Sequence, residues 1–309
     1  MKQAAAPPDA QWSGPVHAGV KAPDPILLPD PALRFAATAQ RLDKLAAGHP
    51  MDAWLRFMAR LARAQHVVAT TLGPATALSP AVVAQAAEAR LPPLAADGHR
   101  REAIWQQGLA LLLEYIDGSD LPLAAREAME QLRRSEAATL DQLADDFLRG
   151  ELAATDAGVV VYVAAALQVY FTCSAARLRI EGLRLLEQRA LCPCCGSPSV
   201  SGLITATGVI PGTRYLYCSL CSTAWNHVRA MCITCGGTRQ LFLQGIEGDP
   251  GVIKAETCGD CHTYVKLLYQ QHDMQVDPYA DDLASLGLDI LVAEDGYGRH
   301  APNPLLLMG

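Results

Sequence analysis

Apolar residues recur at helical spacing along the first part of the chain, after a proline-rich start that ends near Pro29. Asp30 and Pro31 mark a helix start, because aspartate caps free backbone amides and proline tolerates the first helical position. Further apolar stripes predict helices over Phe35 to Leu45, Trp54 to Val68, Ile104 to Tyr115 and Leu140 to Phe147. We therefore expect an irregular arm over residues 1–29 and an all-α helical bundle over residues 30–187.

One segment, from Asp156 to about Leu186, is apolar almost all round in its first half and amphipathic in its second. This pattern predicts one long helix at the centre of the bundle. Its apolar run, from Ala157 to Phe171, contains Gln168 and is shorter than the roughly 20 residues that a membrane span needs. The sequence therefore predicts a buried core helix and no membrane span.

The pattern changes near residue 188 to short runs of β-branched and aromatic residues, separated by glycine and turns. Four of these runs predict strands: residues 213–217, 239–246, 252–256 and 264–270. Asp277 and Pro278 then begin a last helix, which Gly296 can end. This helix and an apolar tail occupy residues 273–309, and the tail is expected to pack on the folded chain.

Nine of the ten cysteines lie between residues 192 and 261, and eight of them form C-x-x-C pairs. The spacing in both halves is C-x2-C-x22-C-x2-C, and the second half repeats the first at an offset of 40 residues. An internal duplication of this kind indicates which cysteines belong together. The predicted metal ligands are Cys192, Cys195, Cys218 and Cys221 in a first module (residues 188–228), and Cys232, Cys235, Cys258 and Cys261 in a second (residues 229–272).

Two residues between thiols allow a tight turn to point both sulfurs at one ion, and a second pair completes a tetrahedron. Four thiolates suit zinc or a single iron, and they are poor ligands for magnesium or calcium. A filled site of this type has no open position for substrate, so we expect ions that stabilise the fold of each module. Of the remaining cysteines, Cys194 either substitutes for a neighbour or stays a free thiol, and Cys173 is expected in the helical core. His227 and His262 are expected to be exposed or hydrogen-bonded.

The chain carries 25 Lys and Arg against 32 Asp and Glu, a net charge of −7, and half of its residues are hydrophobic. This composition excludes a disordered chain and a general binder of polyanions, because phosphate binding needs clustered cations. Between residues 188 and 270, six basic residues are offset by four acidic ones. The remaining positive charge is small for a surface that binds nucleic acid. We therefore expect no nucleic-acid partner.

The sequence contains none of the phosphate-loop, dinucleotide-binding, zinc-protease or serine-nucleophile motifs. We predict a protein that is not an enzyme and has no small-molecule substrate. The first 20 residues contain no long apolar stretch, so we expect no secretory signal. Ten cysteines without an export signal favour reduced, metal-binding thiols and a cytoplasmic location.

A helical N-terminal region followed by a doubled C-x-x-C array resembles the formate dehydrogenase accessory family (FdhE-type). The resemblance is carried by PDPALRFAATAQRL and GHPMDAWLRFMARLARAQ, by LCPCCGSPSVSG and RYLYCSLCSTAWNHVRAMCITCG, and by ADDLASLGLDILVAEDGYGRHAPNPLLL. It implies a cytoplasmic, chaperone-like maturation factor that is needed for formate dehydrogenase activity. The implied partner is the catalytic subunit of that enzyme, bound before export by the twin-arginine route.

The resemblance also implies that the two cysteine modules are rubredoxin-like and associated with iron. Only the segment from Cys192 to Gly196 keeps the proline and glycine of a rubredoxin knuckle, so iron is favoured and zinc is possible. The expected fold is multidomain α plus small β: an N-terminal all-α bundle, two tandem rubredoxin-like or zinc-ribbon modules and a short C-terminal helix. Two alternatives stay open: a rubredoxin-like electron-transfer protein with two S4 iron sites, and a zinc-ribbon nucleic-acid-binding protein.

Overall fold

A computed structural model describes residues 22–73, 75–116, 118, 121–153 and 156–306 of the chain. Within these ranges the chain forms nine α-helices and an eight-stranded sheet. Most of the expected arm, residues 1–21, and the last three residues of the apolar tail lie outside the described residues. The order of elements, helices first and then a cysteine-bearing sheet and short helices, confirms the fold class that the sequence predicts.

The helical region contains seven α-helices among its described residues. They are α1 (Pro31–Ala46), α2 (Asp52–Thr71), α3 (Pro80–Glu88), α4 (Ile104–Tyr115), α5 (Leu123–Arg134), α6 (Ala137–Arg149) and α7 (Ala157–Ala175). Asp30 caps α1 as predicted, because its carboxylate accepts a hydrogen bond of 2.9 Å from the Ala32 amide. Gly150 ends α6 in the left-handed conformation, at a φ of 72°. Two helices were not predicted: α3, which has no buried residue and therefore no apolar stripe, and α5, which buries only Ala128, Met129 and Leu132.

The central helix α7 is apolar all round, and nearly every side chain from Val159 to Ala175 is buried. By length and composition it could cross a membrane, but 83% of its apolar window is buried inside the protein. The predicted extension of this helix to Leu186 is wrong, because α7 ends at Ala175. The chain then makes a single 3-10 turn that ends at Gly182, where an added Cβ would lie 3.0 Å from Val83 of α3. This close packing, together with the poor helix propensity of glycine, favours the turn over a continued helix.

The sheet contains β1 (Ile26–Leu27), β2 (Ser199–Ile204), β3 (Arg214–Cys218), β4 (Ala224–Asn226), β5 (Leu241–Gln244), β6 (Ile253–Cys258), β7 (Thr263–Tyr269) and β8 (Gly298–Arg299). Its order is β1-β4-β3-β2-β7-β6-β5, and β8 also pairs with β7. The predictions of β3, β5, β6 and β7 are confirmed, whereas β1, β2, β4 and β8 were not predicted. Each cysteine module contributes an antiparallel three-stranded unit, β2-β3-β4 or β5-β6-β7.

The two units are joined into one sheet by parallel pairing of β2 with β7. Gly202, Leu203 and Ile204 pair with residues 267–269 of β7. Gly202 allows close packing at this junction, because an added Cβ would lie 2.7 Å from a methyl group of Leu267 and 3.3 Å from one of Leu216. The modules are therefore parts of a continuous structure.

The C-terminal segment begins as predicted, because the Asp277 carboxylate accepts hydrogen bonds from the amides of Tyr279 and Ala280 at 2.9 and 2.8 Å. The prediction of a single helix is wrong: the segment forms α8 (Ala280–Ala284) and α9 (Leu286–Glu294). The break has a physical cause, since the buried Lys266 ammonium donates to the Asp282 carbonyl at 2.6 Å and to the Ser285 hydroxyl at 3.0 Å. Beyond these helices, Leu305 packs into the main core, as expected for the apolar tail.

Candidate metal centres

The eight paired cysteines converge in two groups of four, which we call the first centre (Cys192, Cys195, Cys218, Cys221) and the second centre (Cys232, Cys235, Cys258, Cys261). Within each group all four sulfurs lie within 4.8 Å of one another. The grouping is the one that the 40-residue duplication predicts. All ten cysteines lie within the described residues and all are free thiols.

The sulfur spacing fits a four-coordinate metal ion. In the first centre Cys192 lies 3.4 Å from Cys221, and Cys195 lies 3.4 Å from Cys218. The corresponding distances in the second centre are both 3.7 Å. A tetrahedron with metal–sulfur bonds of about 2.3 Å has sulfur–sulfur edges of about 3.8 Å. These donor sets therefore suit zinc or iron, and neither centre holds a disulfide, whose sulfurs would be about 2 Å apart.

Backbone amides of the C-x-x-C turns point at the sulfurs. The Cys194 amide donates to the sulfur of Cys192 at 3.4 Å, and the Cys221 amide donates to that of Cys218 at 3.3 Å. In the second centre the Gly237 amide donates to the sulfur of Cys235 at 3.4 Å. Such hydrogen bonds stabilise thiolates, which are the form that binds a metal ion.

The residue after the second cysteine of every pair has a positive φ. Gly196 and Gly236, which occupy equivalent places in the two repeats, have φ values of 80° and 73°. Ser222 and His262 occupy the equivalent places in the other two pairs, with φ values of 59° and 55°. Non-glycine residues rarely adopt this conformation. Its presence at Ser222 and His262 therefore indicates that all four turns share one backbone geometry, even where the glycine is missing.

The first centre is fully buried. Burial raises the pKa of the Cys192 and Cys221 thiols. Burial also opposes ionisation of Cys195, but hydrogen bonds from the neighbouring thiols and Ser197 lower its pKa well below the usual value. Several negative charges cannot share a buried space without a compensating cation. A divalent or trivalent metal ion would supply that charge, so the buried thiols of the first centre suit a bound metal ion.

The helical region holds both C-x-x-C turns of the first centre. The amides of Leu94 and Ala96 each donate a 2.8 Å hydrogen bond to the carbonyls of Cys194 and Cys195, respectively. Buried Gln168 of α7 donates to the Ser219 carbonyl at 2.8 Å, inside the other turn. Gln168, the polar residue in the middle of the apolar helix, thus positions a cysteine-bearing turn. The sequence pattern did not indicate this role.

The C-terminal segment completes the enclosure of the first centre. The Tyr279 hydroxyl donates to the Cys218 carbonyl at 3.1 Å, and Arg34 of α1 donates to the Ser222 hydroxyl at 3.0 Å. Thr172 of α7 lies 3.0 Å from the same hydroxyl. The first centre therefore connects the helical region, the sheet and the C-terminal segment.

The second centre is peripheral, with Cys235 exposed and Cys261 half-buried. A chain of hydroxyl groups supports it: Cys261 lies 3.1 Å from the Thr263 hydroxyl, which donates to Thr234 at 2.9 Å. Thr234 in turn lies 2.8 Å from a ring nitrogen of His300. Although partial burial opposes it, hydrogen bonding to Thr263 lowers the pKa of Cys261 to about 7. This centre is within reach of solvent, unlike the first.

The other residues that the sequence analysis singled out lie outside the two groups of sulfurs. Cys194 is buried beside the first centre, but its sulfur is not among the four that converge. Burial raises the pKa of Cys173 to about 11, which suppresses its thiolate. His227 is buried, with Nδ1 3.0 Å from the Val228 carbonyl, and His262 is exposed.

Comparison with known proteins identifies the family. The chain matches the FdhE N-terminal region over residues 23–187, the FdhE central domain over 191–229 and the FdhE C-terminal domain over 230–306. It is 37% identical to the Protein FdhE homolog of Stutzerimonas stutzeri strain A1501 over 298 residues, or 96% of each chain. It is 38% identical to the Protein FdhE homolog of Pseudomonas aeruginosa strain PAO1 over 302 residues, which cover 96% of this chain and 97% of the relative.

A solved structure agrees with these matches. The crystal structure of the FdhE protein from Pseudomonas aeruginosa superposes with a TM-score of 0.81 and 37% sequence identity. The superposition covers 92% of this chain and 99% of that chain. The resemblance that the sequence indicates is confirmed, and the chain belongs to the FdhE family.

Proposed function

We propose that this protein is a cytoplasmic accessory factor for formate dehydrogenase, which binds the catalytic subunit before export and has no catalytic activity of its own. The observation that carries the proposal is the match to FdhE over nearly the whole chain, including all three of its regions. The chaperone-like role is what the resemblance to that family implies. Four-thiolate centres without an open coordination position support a binding role over a catalytic one.

In this proposal the eight cysteines of the two centres ligate two metal ions, with iron favoured and zinc possible. Each bound ion supplies a cross-link between two turns that are distant in sequence, and metal binding of this kind contributes roughly 10–16 kcal/mol toward folding in small modules. The first centre holds helices and sheet together, and the second shapes an outer surface of the sheet.

A deletion strain tests the accessory role. We expect it to lose formate dehydrogenase activity while an unrelated exported molybdoenzyme stays active, and expression of the wild-type chain should restore the loss. Normal formate oxidation in the deletion strain would remove the accessory proposal. Binding is tested separately, by capturing the catalytic subunit with tagged protein from cells that express the enzyme. An unrelated exported molybdoenzyme subunit serves as the matched control.

The exposure of Cys235 supports one second candidate, electron transfer through an iron-filled second centre, because electron transfer requires a centre near the surface. Visible absorption and a reversible potentiometric titration of the isolated protein distinguish the two functions. A colourless protein, or one whose colour does not change reversibly, excludes electron transfer. Nucleic-acid binding is disfavoured, because two of the six basic residues in this region, Arg214 and Lys266, are buried in ion pairs.

A further inference from the structure

The strand β5 forms an open end of the sheet. Among the described residues, β5 pairs only with β6, from Leu241 opposite Cys258 to Gln244 opposite Ala255. Two of its apolar side chains are exposed to solvent, Phe242 by 56% and Leu243 by 54%. The strand carries neither a charge nor a proline, which are the usual protections of a free strand edge.

The internal duplication shows what covers this edge in the other module. A shift of 40 residues places Phe242, Leu243 and Gln244 on Gly202, Leu203 and Ile204 of β2. These three residues of β2 are the ones that pair in parallel with β7. Leu203 and Ile204 are 2% and 5% exposed, so the added strand removes the same positions from solvent in the first module.

At the opposite side of the sheet, the outer strand of the first module is covered. The short strand β1 pairs with β4, with Ile26 opposite Trp225, and the Pro25 carbonyl accepts a hydrogen bond of 3.0 Å from the Asn226 amide. Three of the four outer edges of the two units are therefore paired: that of β4 with β1, and those of β2 and β7 with each other. The β5 edge is the remaining one within the described residues.

We propose that the free edge of β5 is the docking site for an extended, apolar segment of the partner polypeptide. The segment adds as a strand parallel to β5, as β7 adds to β2. Backbone hydrogen bonds supply affinity, and Phe242 and Leu243, on opposite faces of the strand, contact alternating side chains of the segment. That the partner is the formate dehydrogenase catalytic subunit rests on the proposed function, whereas the docking mode does not.

A peptide with the sequence of residues 262–270, which contains the strand that covers the equivalent edge, is a direct probe. We expect fluorescently labelled peptide to bind the full-length, metal-loaded protein saturably. Phe242→Lys and Leu243→Lys should each weaken binding at least tenfold. Ile290→Lys on α9, where the side chain is also 54% exposed, is the matched control and should not change it.

A second peptide, methylated on alternate backbone nitrogens along one edge, separates strand addition from general hydrophobic adhesion. Loss of binding on methylation supports the docking mode, while equal binding of both peptides overturns it. Absence of binding by the unmodified peptide also overturns it. A concentration-dependent dimer in sedimentation that Leu243→Lys abolishes would instead assign the edge to a second copy of this chain, against the proposal.

The last experiment uses the catalytic subunit itself as the binding partner. If it binds the wild-type protein and Leu243→Lys weakens capture while Ile290→Lys does not, the docking site and the proposed function are both supported. If the peptide binds but the subunit does not, the proposed function fails and the docking mode stands. If the subunit binds equally well to Leu243→Lys, the docking site is wrong and the proposed function stands.

Discussion

The Arg214 guanidinium lies 2.9 Å from the Glu256 carboxylate, and this ion pair crosses the boundary between the two cysteine modules. Both side chains are buried, and Arg214 passes beside Gly202 of β2. Burial lowers the pKa of Arg214 and raises that of Glu256, while their mutual attraction opposes both changes. Each charge therefore needs its partner, and the pair links β3 of the first module to β6 of the second.

Glu256→Gln should destabilise the protein by about 3–5 kcal/mol, because it leaves the buried Arg214 charge without a partner. The free energy of unfolding, measured by urea denaturation, checks this. Glu187→Gln is the control, since the Arg90–Glu187 pair is exposed on both sides and its loss should not measurably change stability. Similar effects of the two substitutions would contradict the structural role of the Arg214–Glu256 pair.

Gly202→Val should lower the free energy of unfolding by about 1–3 kcal/mol, because the new side chain overlaps buried Leu267 and Leu216 at the junction of the modules. Thermal and urea denaturation measure the change. Gly245→Val provides the comparison, since the nearest atom to its added Cβ is 3.8 Å away on Lys254. A loss at position 245 as large as that at 202 would argue against close packing of β2 on β7.

Cys192→Ser and Cys232→Ser should each remove one metal ion per chain, as elemental analysis can show. Their effects on folding should differ, because the first centre is hydrogen-bonded to the helical region through Gln168 and Leu94. We expect Cys192→Ser to lower the thermal stability of the helices, and Cys232→Ser to increase hydrogen exchange mainly within the second module. Unchanged metal content in both variants would overturn the ligand assignment, and equal helix destabilisation would contradict the asymmetry.

Acid should destabilise the protein partly through His227. Burial, and then the charge of Arg214, lower the pKa of His227 to about 4 from an ordinary value of 6.5. The folded state therefore favours the neutral ring, whose stabilising contribution is complete above about pH 6.5 and is lost as the pH falls toward 4. A shift of this size corresponds to about 3 kcal/mol.

The His227→Gln variant should show a shallower fall in the free energy of unfolding between pH 6.5 and 4 than the wild type. Acid also protonates the cysteine ligands, so the measurement is the difference between variants of the metal-loaded protein. His272→Gln, at an exposed position, is the control and should follow the wild-type curve. Parallel curves for wild type and His227→Gln would show that His227 does not contribute.

Several features were predictable because they depend on residues close together in sequence. The start of α1 at Asp30 follows from one cap, and the turns after Cys195 and Cys235 follow from their glycines. The grouping of the cysteines followed from the duplication, although it joins residues that are far apart. The domain boundaries at residues 30, 188, 229 and 273 stay a prediction, which limited proteolysis of the metal-loaded protein can test.

Other features depend on contacts that no local pattern records. The end of α7 at Ala175 has no signal in the local sequence, and the break between α8 and α9 depends on hydrogen bonds from the buried Lys266. Gln168 marked the apolar helix as unusual, but its role beneath the first centre required the fold. Arg214 is paired with Glu256, which lies across a strand junction that the sequence did not indicate.

The amino-acid sequence alone established the family, the fold class and the two sets of four thiols, because spacing within turns and repetition along the chain are local or periodic properties. The difference between the centres came from the three-dimensional arrangement: two repeats with the same spacing became a buried centre and a peripheral, partly exposed one. The cause is contact with the helical region and the C-terminal segment: Leu94, Gln168 and Tyr279 hydrogen-bond the turns of the first centre, whereas Cys235 of the second centre is exposed. The burial of a residue depends on its tertiary contacts, and these form only when the chain folds.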